Sequence, residues 1–145
     1  MLIKYQKIIT CLVLFQAVSA FSFAQHRQST GILVNESFAD FMESFKSDTE
    51  FQLKRTVFPL KATFFQDFEL EPLDTTISKD NFYHQTMTFR ENCSYKTYKK
   101  NQHGEFNDKY RTYEILGKDN GICINYTFEF VNSKWYLIYV NDMSN

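Results

Sequence analysis

The acid–base chemistry open to this chain centres on Asp40, Glu43, Asp67, Glu69, Glu114 and Glu129, with Tyr113, Tyr126 and Tyr139 as hydroxyl partners. A carboxylate base beside a tyrosine that stabilises an enolate is the pairing a proton-transfer isomerase needs. Glu114 shares strand parity with Tyr110, Thr112 and Leu116, whereas Arg111, Tyr113 and Ile115 share the opposite parity. Neither set is cleanly apolar, so the side facing a pocket stays open at this level. The simpler reading of each carboxylate is a solvated charge on an open sheet face.

Other chemistries find little support. His84 and His103 have no partner at metal-ligand spacing such as His-x-His. No Gly-x-Ser-x-Gly elbow or glycine-rich phosphate loop occurs, and Cys93 has no evident base. Gln52 and Arg55 lie in a dense motif where Arg55 can pair with Asp48 or Glu50, so a structural role leads and ligand recognition is the alternative. The candidate ligand contacts are therefore Gln52, Arg55, Tyr113, Tyr126 and Tyr139, with no catalytic set, metal or cofactor expected. The strip Tyr95-Lys96-Thr97-Tyr98-Lys99-Lys100 interleaves rings and cations, and reads first as solubilising decoration of an exposed strand.

These residues must be positioned by two helices and a run of strands. Phe38, Phe41, Met42 and Phe45 recur at helical spacing, predicting a helix from near Asn35, stopped at Ser47 or Asp48. A second helix is expected over Thr49 to Val57, ended by Pro59. Strands are expected over Ala62–Phe68, Tyr83–Phe89, Tyr95–Lys99 and Tyr110–Leu116, with Glu69–Ser78 a loop and Lys79–Phe82 one helical turn. Ile122, Ile124, Tyr126, Phe128 and Phe130 alternate with Cys123, Asn125, Thr127 and Glu129, which marks a half-buried strand. Asn132-Ser133-Lys134 then turns the chain into Trp135–Asn141, apolar on both faces and so expected to be central. Helices first, then an antiparallel meander, give an α+β domain.

The first residues set the compartment. Lys4 and Lys7, the apolar run Ile8–Phe15, and small residues up to Ala24 have the build of a secretory signal peptide. Cleavage is placed after Ala24, with Ala20 as the alternative. The organisation is then 1–24 leader, 25–34 flexible tail and 35–145 a single domain. Removing 24 of the 145 residues leaves 121 and moves the formal net charge from −1 to −3, because Lys4 and Lys7 go and no acid does. That balance offers no footprint for nucleic acid. No other segment is apolar enough to span a bilayer. Export permits a bridge between Cys93 and Cys123, and their separation decides whether one forms.

The stretch Phe38-x-x-Phe41-x-x-x-Phe45-x-x-Asp48-x-x-Phe51-Gln52-Leu53-x-Arg55-x-x-Phe58-Pro59-Leu60, with the ending Trp135-Tyr136-Leu137-Ile138-Tyr139-Val140-Asn141-Asp142-Met143-Ser144, resembles the Bacteroidetes family DUF4348. The resemblance runs from about Glu36 to Ser144. It implies an NTF2-like (cystatin-like) architecture, N-terminal helices packed in a strongly bent antiparallel β-sheet, and it allows a homodimer through the sheet. It carries over no reaction, since such scaffolds host enzymes and binding modules alike. The expectation is an exported domain, periplasmic or extracellular, that binds a small ligand or an envelope protein without catalysis. The alternatives are an isomerase or hydrolase using a pocket carboxylate, and an assembly protein pairing through a strand edge.

Overall fold

The computed structural model describes residues 35–65, 71–87 and 90–145. The expected leader and tail, Asp67 and Glu69 lie outside the described residues.

The aromatic stripe builds α1, Phe38–Ser47, and buries Phe41, Met42 and Phe45. Ser37 caps it by accepting the Asp40 N–H at 3.1 Å. Asp48 ends α1 and caps α2, Thr49–Lys54, by accepting the Phe51 N–H at 3.0 Å. The second helix is shorter than the sequence suggests. The Thr56 hydroxyl takes the Gln52 carbonyl and the Leu137 N–H takes the Arg55 carbonyl, so the chain leaves the helix for the sheet.

Among the described residues six strands follow: β1 Thr56–Phe64, β2 Leu73–Ile77, β3 Cys93–Tyr98, β4 Tyr110–Gly117, β5 Cys123–Val131 and β6 Lys134–Asp142, with a 3₁₀ turn at Lys79–Asn81. They form one sheet in the order β2-β1-β6-β5-β4-β3. The sheet is mixed rather than an antiparallel meander, because β1 runs parallel to β6, and it is not strongly curled. Pro59 does not end a helix. It follows a cis peptide inside β1, in the stretch between Thr56 and Lys61 where the ladder to β6 is interrupted and no N–H is required.

Two other expectations change. The loop expected at Glu69–Ser78 contains edge strand β2, whose first four residues are exposed, so no burial alternation betrays it. The strand expected at Tyr83–Phe89 is not formed over its described part. Gln85 there bonds to the Gln52 side chain instead of to a neighbouring strand.

The β5–β6 hairpin turns through Asn132 and Ser133, both at positive φ, as a two-residue loop with right-handed strand twist requires. Tyr139 pairs with Thr127 and Leu137 with Phe128, leaving Ile138 as an extra residue in β6. This bulge shifts parity, so Trp135, Leu137 and Val140 all enter the core, and β6 is central as expected. The core is an aromatic stack: Phe41 and Phe45 meet Phe128 edge-on at 5.4 and 5.2 Å.

The cysteine bridge left open by the sequence is absent, and both thiols are free. Cys93 pairs with Gly117 and Cys123 with Leu116, so β4 lies between them and they face opposite sides of the sheet. Two strand spacings are about 10 Å, beyond the reach of a disulfide.

Candidate functional site

Period-two alternation leaves a polar face on the side of the sheet turned from the helices. The register aligns Glu114, Asn125, Asn141 and Thr63 across β4, β5, β6 and β1, with Asp74 of β2 beyond them. The adjacent row is Thr112, Thr127, Tyr139 and Lys61. Over this face folds the segment joining β3 to β4. Asn101 organises it by accepting the N–H groups of His103 and Glu105 at 2.9 and 3.0 Å, and Gly104 supplies a φ of 81°. The Thr112 hydroxyl donates to the Lys100 carbonyl at 3.0 Å and fixes the segment to the sheet.

The result is a two-lobed cleft. One lobe, of about 310 Å³, lies between Lys100–Gly104 and the polar row of Glu114, Asn125 and Asn141. The other, of about 510 Å³, runs over Lys61, Asp74, Glu129 and Ile138. Gln102, His103 and Tyr139 line both. The side-chain oxygens of Asn125 and Asn141 are buried without a hydrogen-bond partner. Glu114 accepts the Tyr98 hydroxyl at 3.1 Å, and Glu129 accepts that of Tyr110 at 2.9 Å. Loss of solvent, then the Glu114 carboxylate, raises the Tyr98 pKa. Tyr110 is raised chiefly by its bond to Glu129.

Of the five expected ligand contacts, only Tyr139 reaches this cleft. Gln52 is fully buried, donating to the carbonyls of Phe45 and Gln85 and accepting the Gln85 N–H, so its amide ties α1, α2 and the 83–87 segment together. Arg55 pairs not with Asp48 or Glu50 but bidentately with Glu36, at 3.1 and 2.8 Å, and also donates to the Trp135 carbonyl. Tyr113 and Tyr126 are buried on the helix side of the sheet. Burial, then the Asp142 charge, pushes the Tyr126 hydroxyl up to about 12. His84 is half-buried, and its Nδ1 is buried without a partner. His103 lines the cleft. The sequence reading missed Asn125, Asn141, Thr112 and Thr127, although two uncharged polar residues on one strand face (Asn125 and Thr127) were a usable signal.

No family model matches this sequence, and no curated protein does either. Solved structures do. An NTF2-like protein from Bacteroides fragilis superposes with a TM-score of 0.54 at 18% identity, over 77% of this chain and 48% of that one. The fold is NTF2-like. This chain spans about half the length of that neighbour. A second neighbour, from Bacteroides uniformis, has a TM-score of 0.49 at 20% identity, covering 73% of this chain and 76% of its own. In this NTF2-like domain the cleft lies across the sheet from α1 and α2. Among the described residues, no helix is long and apolar enough to cross a membrane, and no group of three or more potential ligands could hold a metal.

Proposed function

We propose that this chain is a DUF4348 member exported through its 1–24 leader, working in the periplasm or outside the cell as a non-enzymatic module that binds a small polar ligand in the cleft. The observation that carries this reading is the pair of unpartnered carbonyl oxygens on Asn125 and Asn141, in adjacent strands and in the wall of a cavity. Buried polar atoms are nearly always paired, so two unpaired neighbours beside a cavity favour a partner that arrives from outside the chain. Binding is favoured over catalysis by the setting of the carboxylates. Glu114 and Glu129 each hold a tyrosine hydroxyl, yet both lie in a cleft open to solvent, where water competes with any enolate stabilisation.

Native mass spectrometry of the protein isolated from its own host tests the reading. The expected result is a retained small molecule on a chain beginning at Gln25, and its loss from Asn141→Leu. A bare chain in both proteins counts against a ligand cleft, and a chain beginning at Met1 counts against processing.

A further inference from the structure

We infer that β2 is a self-pairing edge, through which two copies of this chain join antiparallel about Thr75 into one continuous sheet. The main chain sets which groups are free. The Phe65 N–H donates to the Asp142 carbonyl, so the β1 residues of its parity, Lys61 and Thr63, turn their main chain toward β6. Leu60, Ala62 and Phe64 turn toward β2, where they meet Ile77, Thr75 and Leu73. The N–H and C=O groups of Asp74 and Thr76 therefore point outward. Among the described residues, no strand lies beyond them to pair with.

The two edges of the sheet are built differently. β3 carries Lys96 and runs into Lys99 and Lys100, and cations on an edge guard against strand addition. β2 (Leu-Asp-Thr-Thr-Ile) has no cation, and its first four residues are exposed. Its sequence is nearly symmetric about Thr75. A two-fold axis there sets Leu73 against Ile77 of the second copy, Asp74 against Thr76, and Thr75 against itself. Each of the first two contacts occurs twice, as a closed isologous dimer requires. Asp74 and Thr76 are the outward-facing residues, so each such pair exchanges two main-chain hydrogen bonds. On the helix side, Ile77 of one copy covers Leu73 of the other, which is 44% exposed in the single chain. Just beyond the strand, the same axis brings Glu71 toward Lys79 of the second copy. Neither has an ion pair among the described residues.

Other registers are poorer. An axis at Asp74 opposes two carboxylates and sets Thr76 against Pro72, which has no N–H to give. An axis at Thr76 sets Leu73 against Lys79. Asp74 and Thr75 line the larger lobe of the cleft, so pairing about Thr75 also places Thr76 of the second copy beside that lobe. A five-residue edge buries less than the ~1,600 Å² of a standard interface, so the dimer is reversible and depends on concentration.

Sedimentation equilibrium of the processed protein, from micromolar to millimolar concentration, tests the association, and cysteine cross-linking tests the register. The expected result is a reversible dimer that Thr76→Pro, which removes an outward N–H, weakens at least tenfold. In a Cys123→Ser background, Thr75→Cys is expected to link to its own copy on mild oxidation. Directly opposed residues of a non-hydrogen-bonded antiparallel pair stand about 4.5 Å apart at Cα, within reach of a disulfide. Thr76→Cys, offset by two residues from its copy, is expected to link at least tenfold more slowly. A monomer at every concentration overturns the proposal, and so does a dimer that Thr76→Pro leaves equally tight. A dimer in which Thr76→Cys links as fast as Thr75→Cys overturns the axis at Thr75. If Thr76→Pro fails to fold, the contrast between the two cysteine variants decides alone.

Discussion

Asn125 and Asn141 stand directly opposite each other on β5 and β6, and the side-chain oxygen of each is buried with no hydrogen-bond partner. Leaving a buried acceptor unpaired costs about 1–3 kcal/mol. A fold that keeps two of them side by side in a cavity wall gives up stability there, a pattern common at binding sites.

Replacing either asparagine by leucine, of similar size, should therefore leave the fold intact. Urea unfolding of Asn141→Leu is expected to show unchanged stability or a gain of roughly 1 kcal/mol. A loss above about 2 kcal/mol would mean that the amide is a structural element after all.

Arg55 behaves differently. Its guanidinium grips Glu36, whose carboxylate also accepts the Trp135 N–H at 2.8 Å, while the Trp135 indole donates to the Glu36 carbonyl at 3.1 Å. The pair is largely buried, with side-chain exposures of 14% and 21%. Arg55→Ala strands a largely buried carboxylate against the β5–β6 hairpin and should destabilise by about 3 kcal/mol. Glu36→Gln keeps an oxygen for the Trp135 N–H and should lose less. Chemical denaturation of the two variants gives that ranking.

Gln52 makes three hydrogen bonds to main-chain groups of Phe45 and Gln85 with no solvent exposure. Gln52→Leu leaves those groups unpaired and is expected to cost about 3 kcal/mol, at roughly 1 kcal/mol per stranded group. Ligand retention at 10 °C should be unaffected, because the residue sits across the sheet from the cleft.

Alkaline pH should weaken the fold through Tyr126. Its hydroxyl ionises at about 12 in the folded chain and near 10 when unfolded, so the folded state holds the proton more tightly. The stabilisation is complete below pH ~10 and is lost as pH rises toward 12, about 3 kcal/mol in all. Tyr98 and Tyr110, also raised, add to the same slope. Urea midpoints at pH 9, 10 and 11 should fall, and less steeply in Tyr126→Phe.

What the sequence discloses follows the range of the interactions involved. The α1 stripe from Phe38 to Phe45, the alternation of β5 and the turn at Asn132-Ser133 are local patterns and can be read directly. Edge strand β2 escapes because Leu73–Thr76 are exposed, leaving no buried face to mark its period. Tyr83–Met87 alternates without pairing, since Gln52 supplies bonds a neighbouring strand would have made. The β1–β6 pairing joins segments about 80 residues apart, and no local pattern reports it. The site shares that limit. The polar parity of Asn125 and Thr127 is visible in β5, but its meeting with Asn141, Thr63 and the Lys100–Gly104 segment depends on long-range register. The bulge at Ile138 hides the parity of Asn141 further, because it makes β6 look apolar on both faces.

The most direct measurement is electron density at the cleft in crystals of the protein isolated from its host. The account predicts a bound non-water molecule with donor atoms within about 3.2 Å of the Asn125 and Asn141 oxygens. A cleft holding only ordered water, with both oxygens satisfied by that water or by the chain itself, would contradict it.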